Sequence, residues 1–174
     1  MSSPLTFQQK TSCISLIGMP GAGKSTVGRA LARHLDWALV DTDHLIEATY
    51  GTNLQTIADS LSKEAFLDLE ALIVGSLQAR QCVLATGGSV VYREQAMQHL
   101  GSLGPVVYLE VSFPLLQERI ARNPQRGLAI APGQSLEDIY AERQSLYTRY
   151  AQYTIEADAL TPTQCSAAIM RALD

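Results

Sequence analysis

The sequence lacks the features of proteins that bind polyanions or cross membranes. Its 13 basic residues are outnumbered by 17 acidic ones, the net charge is −4, and only three of the basic residues are lysines. Affinity for nucleic acid or an anionic membrane surface depends largely on a basic face, so the composition argues against both partners. The apolar runs also fall well short of the roughly 20 residues that span a bilayer. A pocket for one small anion stays compatible with this charge.

Cysteine is scarce as well. Cys13, Cys82 and Cys165 are odd in number, far apart in the sequence and set in apolar surroundings. They predict buried free thiols rather than a disulfide framework or a zinc site. The N-terminus shows no charged segment followed by an apolar one, so we expect no secretory signal. We therefore expect a cytoplasmic protein, and a monomer.

Short apolar runs alternate with longer segments of helical spacing along the whole chain. Five runs predict β-strands, at residues 12–17, 38–40, 82–85, 106–111 and, more weakly, 153–155. Between them, apolar residues recur at the spacing of one helix face, as in Val27, Leu31 and Leu35. This alternation predicts one α/β domain over residues 1–174, with a five-stranded parallel sheet and helices on both faces.

The segment 18–25, GMPGAGKS, fits the pattern G-x-x-x-x-G-K-[ST] in full and lies between a predicted strand and a predicted helix. Its glycines let backbone N–H groups approach phosphates, and the helix beginning near Gly23 points its positive end at the anion. Lys24 is expected to reach the β- and γ-phosphates, and the Ser25 hydroxyl to ligate Mg²⁺. The predicted ATP-binding residues are Gly18, Gly21, Ala22, Gly23, Lys24, Ser25 and Thr26.

Two aspartates, Asp41 and Asp43, close the second predicted strand. Side chains two residues apart on a strand share a face, so both are expected to point toward the edge where α/β sheets bind ligands. One carboxylate can organise Mg²⁺ while the other accepts a hydroxyl proton, which are two tasks of phosphoryl transfer. The alternative is that Asp43 only caps a helix that begins at His44.

Three arginines, Arg119, Arg122 and Arg126, precede or enter the loosest stretch of the chain, at residues 123–135, which has two prolines and two glycines. A loop of this length inside a domain is usually functional, so we predict a lid over about 119–135. Arg126 is the candidate for the transferring phosphoryl group, and Arg122 for the adenine ring. The alternative for this helix is a solvated basic face.

The P-loop together with Asp41-Thr42-Asp43 resembles the shikimate kinase family, in the nucleoside-monophosphate-kinase-like group of P-loop folds. Four further segments match in order. FLDLE at 66–70 resembles F-R-x-x-E, ATGGS at 85–89 resembles A-T-G-G-G, and RQSLY at 143–147 resembles R-x-x-L-Y. Between the last two, Arg122 and Arg126 fall where the family has an adenine-side arginine and the R-P-L of its lid. The resemblance spans residues 14–155. It implies an enzyme that transfers the γ-phosphoryl group of ATP, with Mg²⁺, to a hydroxyl of a small molecule, most specifically shikimate.

The resemblance also implies roles for individual residues. Asp43 would hold the substrate hydroxyls and act as base, while Asp41 would serve the metal with Ser25. Arg143 would bind a carboxylate and Arg126 the phosphoryl group. The helices of about residues 43–80 would bind the substrate. The loop residues that would line it are Gly87, Gly88 and Ser89.

Departures from the family pattern bear on the substrate. Leu67, expected to be exposed, stands where the family has the second of two arginines that clamp the carboxylate, and Ser89 replaces a glycine. A charge-assisted hydrogen bond contributes roughly 1.5–3 kcal/mol, so one missing arginine weakens such a substrate by about 10²-fold or more. Arg93 is the nearest candidate replacement, whereas Glu70 is expected to be an ordinary exposed residue. Open alternatives are a gluconate-like or other hydroxyl substrate, or a module that binds nucleotide without turnover.

Overall fold

The computed structural model describes residues 13–122 and 133–174, and in them the five predicted strands are all present. The strands are β1 Cys13–Ile17, β2 Ala38–Asp41, β3 Cys82–Ala85, β4 Val106–Glu110 and β5 Tyr153–Glu156. The helices are α1 Lys24–Leu35, α2 Thr42–Tyr50, α3 Leu54–Ser60, α4 Lys63–Gly75, α5 Glu94–Leu103, α6 Phe113–Arg122, α7 Leu136–Tyr150 and α8 Pro162–Leu173. A short 3₁₀ turn, Val90–Tyr92, precedes α5.

The five strands form one parallel sheet in the order β2-β3-β1-β4-β5. Every residue of β1 is buried, as a central strand covered on both faces requires. Crossover connections between parallel strands are right-handed. The connection from β1 to β2, which contains α1, runs toward the β2 edge, whereas the later connections run toward the β5 edge. Helix α1 therefore lies on the opposite face of the sheet from the helices of those later connections. The predicted fold class, a parallel sheet with helices on both faces, is confirmed.

The order of the strands creates a crevice at the carboxyl end of β1. The chain leaves β1 toward one face of the sheet, whereas it leaves the neighbouring strands β3 and β4 toward the other. Ligands of open α/β sheets bind at such a switch point. The segment that follows β1 is the predicted P-loop, and the segment that follows β3 contains Gly87 and Gly88.

Helices α2, α3 and α4 share a small apolar core of their own beside the sheet. It is formed by Ile46, Leu54, Ile57, Phe66 and Leu69. This second core holds α4 against α2 and α3. Leu67 of α4 is 2% exposed, so the expectation of an exposed leucine is wrong, because its face of the helix is packed rather than solvated.

The three cysteines are free and buried, as the sequence predicted. Cys13, Cys82 and Cys165 are buried free thiols, and the sulfurs of Cys13 and Cys82 lie 3.3 Å apart across β1 and β3. Within residues 13–122 and 133–174, no helix combines the length and the apolar character that crossing a membrane needs.

Candidate active site

The P-loop forms a cradle at the amino end of α1. Gly21 and Gly23 have φ values of 85° and 94°, a conformation that glycine adopts without strain, and Gly23 is the N-cap of α1. Because Gly23 has no side chain with which to cap the helix, the positive end of α1 is left for an anion. Gly18 lies against the carbonyl oxygen of Leu109, which a Cβ would approach to 2.7 Å.

Lys24 is folded back over this cradle. Its Nζ donates hydrogen bonds to the carbonyl oxygens of Gly18 (2.7 Å) and Met19 (2.9 Å). Burial lowers the pKa of Lys24 to about 8, against the opposing charge of Asp43. The ammonium group is thus held at the loop by two neutral acceptors. A phosphate oxygen, which is charged, is a stronger acceptor and can replace them.

Asp41 is the N-cap of α2, a role that the sequence reading gave, as an alternative, to Asp43. Its Oδ1 accepts hydrogen bonds from the backbone N–H groups of Asp43 (3.1 Å) and His44 (3.5 Å), and its Oδ2 accepts one from Ser25 Oγ at 2.6 Å. Asp43 is therefore a helical residue, and the prediction that both aspartates lie on one strand face is wrong. The helix begins at Thr42, directly after β2 ends at Asp41, so the Asp43 carboxylate does not cap the helix.

The Asp43 carboxyl group turns into the same pocket as Lys24. Its Oδ1 is buried and has no hydrogen-bond partner among the residues that the structure describes. Burial raises the pKa of Asp43 to about 6, and the nearby charge of Lys24 opposes this shift. A buried acceptor without a donor carries a desolvation penalty that a substrate hydroxyl would relieve.

Gly87 and Gly88 bring the remaining walls of the pocket together. A Cβ at Gly87 would overlap Oε1 of Glu70 and lie 2.9 Å from Oδ1 of Asp43, so both carboxyl groups abut this backbone. A Cβ at Gly88 would lie 2.6 Å from Cδ of Pro20 and 3.2 Å from Nη1 of Arg143. Absence of side chains here is what lets two acids, an arginine and the P-loop converge.

The Gly87–Gly88 backbone is held by two further hydrogen bonds. The Gly87 N–H donates to Thr42 Oγ1 at 3.1 Å, and Tyr147, which is fully buried, donates its hydroxyl to the Gly88 carbonyl oxygen at 2.6 Å. Tyr147 thus holds the Gly88 backbone in place in addition to packing in the main core.

Glu70 is buried, so the expectation of an ordinary exposed glutamate is wrong. It is 4% exposed, lines the pocket, and accepts a hydrogen bond from the hydroxyl of Ser89. Burial raises the pKa of Glu70 to about 7, which the Ser89 hydrogen bond opposes. A sequence signal was available, because Glu70 lies on the apolar stripe that Phe66, Leu67 and Val74 form at helical spacing.

Arg143 is 1% exposed, so its side chain belongs to the interior rather than to the surface of α7. It lies on α7 and lines the pocket. Its guanidinium lies 5.1 Å from the ring centre of Tyr92, and its Nε donates to the Tyr92 hydroxyl at 3.2 Å. Because an arginine keeps its charge even when buried, the pocket contains a fixed cation.

Arg93, the candidate replacement for a second carboxylate-binding arginine, points away from the pocket. It forms ion pairs of 2.7 Å with Glu64 and with Asp68 on the outer side of α4, and it is absent from the lining that the described residues give this pocket.

A second cavity adjoins the P-loop on its other side. It is lined by Gly21, Ala22, Gly23, Thr26, Val27, Arg119, Arg122, Ala157, Leu160, Pro162 and Cys165. Arg119 donates to the Gly21 carbonyl oxygen at 3.2 Å, whereas Arg122 pairs with Glu118 along α6. Arg119 and the segment 157–165 were missed as site residues, because no local motif marks them. Arg126 and most of the predicted lid lie outside the described residues.

Comparison with known proteins places these features in a family. A model of the shikimate kinase family matches residues 20–174. The shikimate kinase of Chromohalobacter salexigens is 40% identical over 152 residues, which cover 86% of this chain and 84% of that protein. The shikimate kinase of Chromobacterium violaceum is 41% identical over 144 residues, 81% of this chain and 78% of that protein.

Solved structures agree with these sequence matches. The structure of a shikimate kinase from Acinetobacter baumannii in complex with shikimate has a TM-score of 0.86 and 32% identity, and the match covers 94% of this chain and 93% of that one. A thymidylate kinase from Candida albicans, at 12% identity and a TM-score of 0.57, shares the fold alone. The chain therefore belongs to the shikimate kinase family, ATP-using phosphotransferases whose acceptor is an alcohol group.

Proposed function

We propose that this chain transfers the γ-phosphoryl group of ATP to a hydroxyl group of shikimate. The observation that carries the proposal is one continuous pocket in which the P-loop, Asp43 and Arg143 meet. A phosphate on the P-loop, a hydroxyl at Asp43 and a carboxylate at Arg143 would then belong to one reacting complex. Shikimate carries both hydroxyl groups and a carboxylate.

The phosphate side follows from the cradle at α1. The N–H groups of Gly21 to Thr26 and the helix dipole stabilise the phosphates of ATP, and Lys24 exchanges its carbonyl partners for phosphate oxygens. The second cavity is proposed to hold the adenine, with Arg119 and Arg122 at its mouth. Arg126 remains the proposed partner of the transferring phosphoryl group, on sequence grounds.

We propose that Mg²⁺ binds at Ser25 and Asp41. The hydroxyl and carboxylate are already 2.6 Å apart, and oxygen donors are the ligands that Mg²⁺ prefers. When bound, the ion would neutralise charge on the β- and γ-phosphates. The donor set is small, as is usual where phosphate oxygens and water complete the coordination of Mg²⁺.

At the acceptor side, Asp43 takes the proton of the attacking hydroxyl. The hydroxyl oxygen forms a bond to the γ-phosphorus as the bond to the bridging oxygen of ADP breaks, and the proton passes to the Asp43 carboxylate. Gly87, Gly88 and Ser89 shape the wall next to the acceptor, and Arg143 orients its carboxylate. This positioning, rather than covalent help, is what phosphoryl transfer requires.

The wider organisation is part of the same proposal. One domain carries a lid over about 119–135 and substrate-binding helices over about 43–80, and the chain acts as a cytoplasmic monomer without a nucleic-acid partner. The net charge of −4 and the three free thiols support this picture. Light scattering after size-exclusion chromatography, with the mass of one chain expected, tests the oligomeric state.

A panel of acceptors tests the proposed substrate. ADP release is measured with ATP and shikimate, gluconate, homoserine or a nucleoside, and only shikimate is expected to support turnover at micromolar concentration. A second acceptor class, a different hydroxyl compound, is favoured by one observation: among the residues that the structure describes, Arg143 is the only arginine that lines this pocket. Turnover with gluconate instead of shikimate would select that class, and ATP binding without turnover on any acceptor would contradict both.

A further inference from the structure

Glu70 is a buried carboxyl group whose partner is a hydroxyl rather than a cation. Among residues 13–122 and 133–174, the side-chain ion pairs involve Arg93 and Arg122, and none includes Glu70. The position one helical turn earlier on the same face is Leu67, which supplies no charge. Ser89 donates to Glu70 Oε2, and Oε1 abuts Gly87 in the wall of the acceptor pocket.

A hydroxyl partner differs from a cation in one important respect. A serine hydroxyl can donate to an ionised carboxylate and can equally accept from a protonated one, because it carries both a hydrogen and lone pairs. A guanidinium would only donate, and would hold the acid in its charged form. The Glu70–Ser89 pair can therefore persist whether or not Glu70 carries a proton.

The charges that face Glu70 come from three other elements. Asp43 at the start of α2 disfavours the ionised form of Glu70, while Arg143 on α7 and Lys24 on α1 favour it. His44 and Glu47 line the same pocket further from Glu70. Burial dominates and raises the pKa of Glu70 to about 7, so the free protein holds a mixture of both forms near neutral pH.

We propose that Glu70 takes up a proton when the carboxylate of the acceptor substrate binds, so that acceptor affinity falls as Glu70 becomes ionised. The inference rests on the proposed function, which places that carboxylate at Arg143. The arriving anion neutralises one of the two cations that stabilise ionised Glu70 and adds a negative charge to the same pocket. Both changes favour the protonated form of Glu70. The Ser89 hydroxyl can still form a hydrogen bond with that form, as the acceptor.

The direction of the pH dependence follows. Binding an anion raises the pKa of Glu70 above its value of about 7 in the free protein. Well below pH 7 Glu70 is protonated before and after binding, so it adds no pH dependence to the affinity there. Above pH 7 binding takes up a proton, so the Kd for shikimate rises with pH, by at most roughly tenfold per unit, until the pKa of the complex is passed.

Isothermal titration calorimetry with shikimate at pH 7.8 tests this, in two buffers of different ionisation enthalpy. The parent is expected to take up a fraction of a proton per shikimate bound. Glu70→Gln should take up clearly less, because Lys24 is then the group of this pocket that titrates near pH 8, and its Kd should depend less on pH between 7 and 8.5. The matched control is Asp68→Asn, which removes an exposed charge from the same helix and should behave as the parent.

A second variant tests the inference while leaving Glu70 unchanged. Leu67→Arg places a cation one turn from Glu70, so proton uptake at pH 7.8 should fall and the Kd should become less dependent on pH. Equal proton uptake in the parent and in Glu70→Gln, or an unchanged pH dependence in Leu67→Arg, would overturn the inference. Failure of the parent to bind shikimate at any pH would instead overturn the proposed function.

Discussion

A methyl group added at Gly88 should damage the active site from within. The Cβ of Gly88→Ala would lie 2.6 Å from Cδ of Pro20 and 3.2 Å from Nη1 of Arg143, whereas ordinary contact begins at 3.4 Å. The Pro20 ring cannot rotate away, so the loop after β3 or the P-loop must move by roughly 0.8 Å. Overpacking of this kind costs about 1–3 kcal/mol of the free energy of unfolding.

Catalysis should suffer more than stability. A displacement approaching 1 Å between the phosphate cradle and the acceptor pocket lowers the rate by about 10²-fold, because the reacting atoms lose their alignment. We therefore expect Gly88→Ala to lower kcat/KM for shikimate by about 100-fold and the Tm by roughly 2–12 °C. Coupled ADP release and a thermal melt monitored by circular dichroism measure the two effects.

Gly101→Ala is the matched control. Gly101 lies within α5, and a Cβ there meets no atom within 4 Å. Replacing a helical glycine with alanine stabilises by about 0.5–1 kcal/mol, so this variant should melt slightly higher with unchanged kcat/KM. If Gly88→Ala had the same kcat/KM and Tm as Gly101→Ala, the close contacts of Gly88 with Pro20 and Arg143 would not be needed for activity or stability.

Three other substitutions give separable results. Lys24→Met should abolish turnover, since no cation then reaches the phosphates, and should lower the Tm by a few degrees because two carbonyl oxygens lose their donor; turnover at the parent rate would contradict the assigned role. Arg143→Lys should raise the KM for shikimate by about 10–100-fold in initial-rate assays, because a charged bidentate donor is lost, and an unchanged KM would remove the carboxylate from Arg143. Ser25→Ala should raise the Mg²⁺ concentration for half-maximal rate about tenfold, and an unchanged requirement would argue against Ser25 as a ligand.

The fold and the phosphate cradle were predictable because their signals are local. The five strands are short apolar runs, and the P-loop is a contiguous pattern whose glycines and lysine each have one chemical reason to be present. Right-handed crossovers then determine which helices lie on which face. Nothing beyond neighbouring residues and general packing rules was needed for these features.

The acceptor pocket was harder because its contacts join distant parts of the chain. Ser89 lies 19 residues from Glu70, and Tyr147 lies 59 residues from Gly88. The apolar stripe of α4 indicates that Glu70 is buried, but it does not identify Ser89 as the partner of Glu70. The second cavity was still harder to predict, because Ala157 and Cys165 line it without belonging to any sequence motif.

The expected backbone geometry of the two aspartates was wrong for a more local reason. Whether Asp41 or Asp43 caps α2 depends on where the helix begins, and a shift of two residues exchanges their roles. The structure starts the helix at Thr42, so Asp41 carries the capping hydrogen bonds and Asp43 points its Oδ1 into the pocket.

The central claim is that the Asp43 pocket directs phosphoryl transfer from ATP to shikimate, and product analysis tests it most directly. ATP and shikimate are incubated with the parent or with Asp43→Asn, and the products are identified by phosphorus NMR and mass spectrometry. The parent should form one phosphorylated shikimate for each ADP, and Asp43→Asn, folded as judged by its thermal melt, should form neither. ADP release without phosphorylated shikimate in the parent, or full turnover in Asp43→Asn, would contradict the account.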